Sequence, residues 1–140
     1  MGERGDCDED DASAVERDGV TSAQVRTLTE IGMIAAGRGM PVEALAIFEA
    51  LQQLRPQRAF PYIGLALTHM NAGRPEEAVR VIERDGLAAC PGDTDLRAFL
   101  GLALKLAQRP AESVRVLEEL LREHPGADSA RFARSLLAER

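Results

Sequence analysis

Few side chains in this 140-residue chain could do chemistry, and their spacing argues against most kinds of it. The two histidines, His69 and His124, stand 55 residues apart with no Cys or carboxylate at metal-ligand spacing, so no metal site is expected. His69 is expected on the inner surface of a helical layer. His124 precedes Pro125, where the partial negative charge of a helix C-terminus suits it. The run DCDEDD at residues 6–11 alternates like a calcium loop, yet Asp11 falls where the sharp turn requires Gly. Arg17 likewise falls where the bidentate carboxylate belongs. No serine sits in a nucleophile-elbow pattern, and the IGLAL and LGLAL segments lack the Lys and further glycines of a phosphate cradle. No catalytic, cofactor-binding or metal-binding residue is expected, and the chain reads as a non-enzyme.

Charge and cysteine usage narrow the remaining classes. The net charge of −6 belongs to one end: residues 1–18 hold eight acidic and two basic residues, while from residue 19 onward 15 Asp+Glu balance 15 Lys+Arg. A near-neutral body with interspersed charge cannot track a phosphate backbone, so nucleic acid is not an expected partner. Residues 1–20 offer almost nothing apolar to pack and read as a disordered acidic tail. Cys7 and Cys90 do not make a disulfide framework; a tail thiol and a half-buried thiol in a reducing compartment are expected. The start of the chain shows no secretory signal, and no apolar run is long enough to span a bilayer. A cytoplasmic location without membrane insertion follows.

The elements that must position any site read as helices. Ala, Leu, Arg and Glu dominate, aromatics are 4%, and Trp is absent, which favours an all-α fold. Thr21 or Ser22 can cap a first helix carrying Val25, Leu28 and Ile31 at helical spacing, which Gly37 and Gly39 end. Pro41 suits the first turn of a second helix, with Ala44, Phe48, Leu51 and Leu54 on its apolar stripe and Pro56 as its stop. The markers then recur. Pro41, Pro75 and Pro110 are 34 and 35 apart, and Pro56, Pro91 and Pro125 are 35 and 34 apart. Gly32, Ala66 and Gly101, and Ala44, Ala78 and Ser113, keep the same period.

A 34-residue, two-helix unit with these residues resembles the tetratricopeptide repeat family. Leu28, Ile31, Gly32, Ala44, Phe48 and Pro56 carry the likeness in unit one. Tyr62, Leu65, Ala66, Gly73, Ala78 and Ile82 carry it in unit two, and Leu100, Gly101, Ser113, Leu117 and Pro125 in unit three. Arg97 at a large-apolar position and Ser113 for Ala are departures that should weaken unit three slightly. The resemblance implies a right-handed α-solenoid of three helical hairpins, at about 25–58, 59–93 and 94–127. A capping helix at about 128–139, with Asp128 as its N-cap, should close the stack. One extra residue before Pro91 should widen a bend where Gly86 ends or kinks the fourth helix.

By repeat register, the first helix of each unit lines a concave groove. Its expected partner-binding residues are Arg26, Thr29 and Met33 in unit one, and Phe60, Ile63, Leu67, Met70 and Asn71 in unit two. Unit three adds Ala98, Leu102 and Lys105. The apolar middle with its methionines suits a protein or peptide partner, either an amphipathic helix or an extended apolar segment. A homodimer covering the same residues competes with that reading. Co-chaperones of this family that grip a C-terminal carboxylate use Lys, Asn and Arg at set positions. Thr29, Met33, Gly64, Asp95 and Phe99 stand there instead, so no such clamp is expected. The fabric of EIGMIAAGRGMPVEALAIFEALQQLRP, PYIGLALTHMNAGRPEEAVRVIE and FLGLALKLAQRPAESVRVLEELLREHP resembles the cytoplasmic chaperones of bacterial type III secretion. That resemblance implies a holder of a needle subunit or translocator. The alternatives are a self-associating scaffold and a generic adaptor in another protein complex.

Overall fold

The computed structural model describes residues 19–139; residues 1–18 of the expected disordered tail, with the acidic 6–11 run and Cys7, lie outside them, while its last two residues are placed, the Val20 carbonyl accepting from Arg55. Among the described residues, seven helices follow one another in three hairpins and a last single rod. The first hairpin pairs α1 (Ser22–Gly37) with α2 (Pro41–Leu54). The second pairs α3 (Phe60–Asn71) with α4 (Pro75–Arg80), which continues through a π-helical segment, Val81–Gly86, into a short turn, Leu87–Ala89. The third pairs α5 (Thr94–Leu106) with α6 (Pro110–Glu123), and α7 (Ala130–Ala138) closes the chain. Each hairpin's first helix packs on the next one's: α1 on α3, α3 on α5, and α5 on α7.

Both corners of the repeat recur in backbone detail. After α1, α3 and α5, the N–H groups of Met40, Arg74 and Arg109 donate to the carbonyls of Ala35, His69 and Leu104, five residues back, at 3.0, 2.8 and 2.9 Å. This bond satisfies an otherwise orphaned carbonyl, and it requires one residue in the left-handed region. Gly39 (φ 74°) and Gly73 (φ 78°) meet that demand, and Gln108 (φ 64°) holds the place in unit three. At the other corner, Arg55, Cys90 and His124 share φ near −135° and ψ near 65–75°, each just before a proline. Their N–H groups all donate at 2.8 Å to the carbonyl four residues back. Proline at the following position disfavours the helical region for the residue before it, so the helices stop there.

The hairpins close because small residues meet large ones. The Phe48 ring, fully buried, is wedged against Gly32 of α1 and Gly64 of α3. A Cβ built on Gly32 would stand 2.9 Å from that ring, and one on Gly64 would overlap it. Leu117 fills the same role against Gly101. Ser113 does not weaken unit three, because its buried hydroxyl donates to the Gly101 carbonyl at 2.7 Å. Arg97, at a large-apolar position, keeps its stem largely covered and its guanidinium 3.0 Å from Glu123.

Two expectations about the helices are corrected. Gly86 does not end the fourth helix, which runs on through it into Leu87–Ala89. The Pro75-to-Pro91 stretch is one residue longer than Pro41-to-Pro56, and the helix absorbs the surplus by widening into the π-helical segment. The α7 helix starts after Ser129 without a side-chain cap. The Ala130 N–H is taken by the Ala127 carbonyl at 3.0 Å, which leaves Asp128 exposed and outside the capping role. Thr21, in contrast, forms a full capping box with Gln24.

These packing facts fix two expected outcomes. Gly64→Ala should lower stability by up to about 2 kcal/mol in denaturant unfolding, because crowding the Phe48 ring costs about 1–3 kcal/mol against a helix-propensity gain of about 1. Adding Phe48→Leu to that variant should cost less than it does in the parent chain. Gln108→Gly should raise stability by about 0.5–1 kcal/mol, since it removes a left-handed non-glycine residue; an unchanged midpoint would show that the corner is already unstrained.

Candidate functional site

The α1, α3 and α5 helices position the expected partner-binding side chains, and the structure sorts them into three groups. In unit one Arg26 is exposed, Thr29 half-buried with its hydroxyl donating to the Val25 carbonyl at 2.8 Å, and Met33 41% exposed. In unit two Phe60, Ile63, Leu67 and Met70 are half-buried, and the exposed Asn71 amide donates to the Ala36 carbonyl at 3.2 Å, tying α3 to α1. Ile63 and Met70 also rest against the core shared by the second and third hairpins. Met33 and Leu67, 34 residues apart, occupy the same register of the neighbouring first helices α1 and α3.

Unit three departs from the expected groove. Ala98 is fully buried, and Leu102 packs against the cluster that Ala98 forms with Leu117, Leu120 and, from α7, Ala133 and Leu136. Lys105 Nζ donates to the Leu136 carbonyl at 3.2 Å and lies 3.3 Å from Glu139. The physical reason is that α7 stands where a fourth hairpin's first helix would pack. Ala98, Leu102 and Lys105 are therefore an internal seam and not open surface. Phe99 joins the same seam, its ring 5.4 Å from that of Phe132.

Beside the first half of α1 lies a cleft of about 350 Å³, lined by Ser22, Val25, Arg26, Thr29, Glu30, Arg55, Arg58 and Phe60 among the described residues. Sequence reading missed Arg55 and Arg58, because both follow α2 in the corner and belong to no helical face. The Arg58 guanidinium lies 5.6 Å from the Phe60 ring centre. Arg55 is buried and donates to the carbonyls of Leu54 at 2.8 Å and Val20 at 3.1 Å, which pins the incoming chain beside the cleft. Repetition could not have revealed this, since Cys90 and His124 hold the matching places.

The remaining candidates resolve into structural roles. His69 does not line the inner surface. It faces the corner into α4, where its Nδ1 accepts from Arg74 Nε at 3.3 Å. Burial and then the Arg74 charge hold its pKa below the usual value, against smaller opposing pulls from Glu77 and Glu49. Burial raises the Tyr62 phenol, which donates to the Pro56 carbonyl at 2.6 Å. His124 caps α6 through its N–H. Cys90 is buried and disulfide-bonded, which corrects the expected half-buried free thiol, and its sulfur lies 3.4 Å from the Gln57 carbonyl oxygen. No group of three His, Cys, Asp or Glu among the described residues could hold a metal ion. None of the described helices is long and apolar enough to cross a membrane.

Comparison with known proteins agrees with this geometry. Residues 59–84, covering α3 and the first part of the second hairpin's return, match the family described as tetratricopeptide repeat. Among solved structures, the chain is similar to SycD, the type III secretion translocator chaperone of Yersinia enterocolitica. The TM-score is 0.76 at 14% identity, over 91% of this chain and 97% of that one. No curated protein matches the sequence. The fold is that of a tetratricopeptide-repeat-like helical solenoid.

Proposed function

We propose that this chain is a chaperone or adaptor that holds an apolar segment of another protein along the strip formed by Met33, Ile63, Leu67 and Met70. The observation that carries the reading is that Met33 is exposed and Ile63, Leu67 and Met70 are half-buried at register-matched and neighbouring places on the first helices α1 and α3. Methionines at both ends of the strip let it reshape around a partner at little cost. An amphipathic helix fits best, because apolar anchors three and four residues apart match the spacing between Leu67 and its neighbours Ile63 and Met70. Likeness in fold to a translocator chaperone over nearly its whole length supports a type III secretion substrate, a translocator or needle subunit, as the client. Arg26, Thr29, Phe60 and Asn71 would border the bound segment. Three hairpins that occupy Ala98, Leu102 and Lys105 internally leave a client the first two units.

A second reading has its own support. Ala23, Thr27, Ile31 and Ile34 share the outward face of α1, and Ile31 is 48% and Ile34 55% exposed. The matching positions of units two and three, Leu65 with Thr68 and Leu100 with Ala103, are buried against the preceding hairpin. A second copy covering the open end of the stack would bury the same face, which makes the chain a self-associating scaffold.

Two variants separate the readings. Met33→Glu combined with Leu67→Glu should reduce binding of a co-expressed translocator or needle subunit at least about tenfold, by roughly 1.4 kcal/mol or more. Helical content and melting should stay near those of the parent chain; unreduced binding defeats the strip. Ile34→Glu should leave client binding intact if the strip is the site. A dimer that dissociates on dilution only in that variant would instead favour the scaffold.

A further inference from the structure

We infer that the two cysteines of the chain form one internal bond, Cys7–Cys90, and that this bond is a redox-controlled staple for the uncapped first hairpin. Cys90 is disulfide-bonded, and a chain with two cysteines offers it one partner within itself, Cys7. The bond closes a loop over residues 7–90, which takes in α1 to α4 and leaves the third hairpin and α7 outside.

The anchor of that loop is rigid. Cys90 ends the second hairpin, its N–H donating to the Gly86 carbonyl at 2.8 Å. It belongs to the core cluster of Ala59, Tyr62, Leu96 and Leu100, and a second copy would have to part this packing to reach its sulfur. Connectivity brings the partner within reach. The Val20 carbonyl accepts from Arg55 at 3.1 Å, and the Cys90 sulfur lies 3.4 Å from the Gln57 carbonyl oxygen. Arg55 and Gln57 share the corner between α2 and α3, so the entry to α1 and the anchor flank one turn. Residues 7–19 can span up to about 40 Å, more than one corner requires.

The ends of the stack show what the bond is for. Where units are held by nearest-neighbour contacts, a terminal hairpin opens first. At the C-terminal end α7 gives cover, whereas Ile31 is 48% and Ile34 55% exposed at the other. Without the bond, an opened first hairpin is a free end. With it, the same residues form a loop closed at Cys90 and at the second hairpin, which gains less conformational entropy on opening. Closure is thiol–disulfide exchange with a low-molecular-weight disulfide such as oxidised glutathione. The Cys7 thiolate attacks it and expels one thiolate; the Cys90 thiolate then attacks the Cys7 sulfur and expels the second. The cysteine pair loses two electrons and two protons, and the small disulfide leaves as two thiols. Excess small thiol reverses both steps and frees unit one.

The staple does not rest on the apolar strip, and its test contains no client. The full chain is refolded once with oxidised glutathione and once with a phosphine reductant, beside a full-length Cys7→Ser variant kept reduced. Non-reducing peptide mapping identifies the linkage, and native-state hydrogen exchange reads each helix. The monomeric oxidised chain should yield the Cys7–Cys90 peptide pair. Its α1 and α2 amides should exchange at least about tenfold more slowly than those of the reduced chain, with α6 and α7 changing by less than about twofold. Cys7→Ser, which keeps Cys90 in the core, should match the reduced chain. Cys90 recovered as a free thiol, as a glutathione adduct or linked between copies would overturn the bond. A bond that forms but slows every helix alike, or none, would overturn its role at the first hairpin.

Discussion

Close approach of helices over residues without bulk is the constraint on which the rest of this structure depends. Gly32 and Gly64 leave room for one phenylalanine ring to serve two interfaces: the one inside the first hairpin and the one between the first two hairpins. Because Phe48 touches both, the angle within a hairpin and the offset between hairpins are set by the same side chain. Gly101 and Leu117 repeat the arrangement with a branched aliphatic group in place of a ring. A stack built this way transmits geometry from unit to unit through nearest neighbours, as expected of a quasi-one-dimensional fold. It also fixes which side chains of the first helices are left over to meet a partner.

What the sequence made legible follows from that repetition. Period, helix starts and helix stops are written in Pro41, Pro75 and Pro110 and in Pro56, Pro91 and Pro125, because proline acts on the backbone alone and needs no neighbour to be understood. Features that depend on a partner across space were harder to read. Ser113 and Arg97 look like flaws in the pattern until the Gly101 carbonyl and Glu123 are seen beside them. The surplus residue of the fourth helix was countable, but not its fate, since a π-helical widening keeps the helix continuous where a kink would break its packing. His69 was assigned to the wrong face because its place beside the corner into α4, against Arg74, is set by a turn rather than by helical spacing alone.

The candidate site shows the same division. Register placed Met33, Ile63, Leu67 and Met70 in one layer, since register is a property of the repeat. It also placed Ala98, Leu102 and Lys105 there, and the seventh helix covers them. A capping helix stands in for the next repeat's first helix, so the last unit's seam has the same residue types as an open groove. Arg55 and Arg58 had no periodic signature, and only the fold brings them to Arg26 and Phe60.

The two ends of the stack are consequently unlike. At the C-terminal end, α7 buries the apolar faces of α5 and α6, and Lys105 ties its last turn down. At the N-terminal end, Ile31 and Ile34 remain exposed while Thr21 and Gln24 satisfy the helix terminus beside them. Satisfying backbone donors and covering apolar surface are separate requirements, and the first hairpin meets only the first of them.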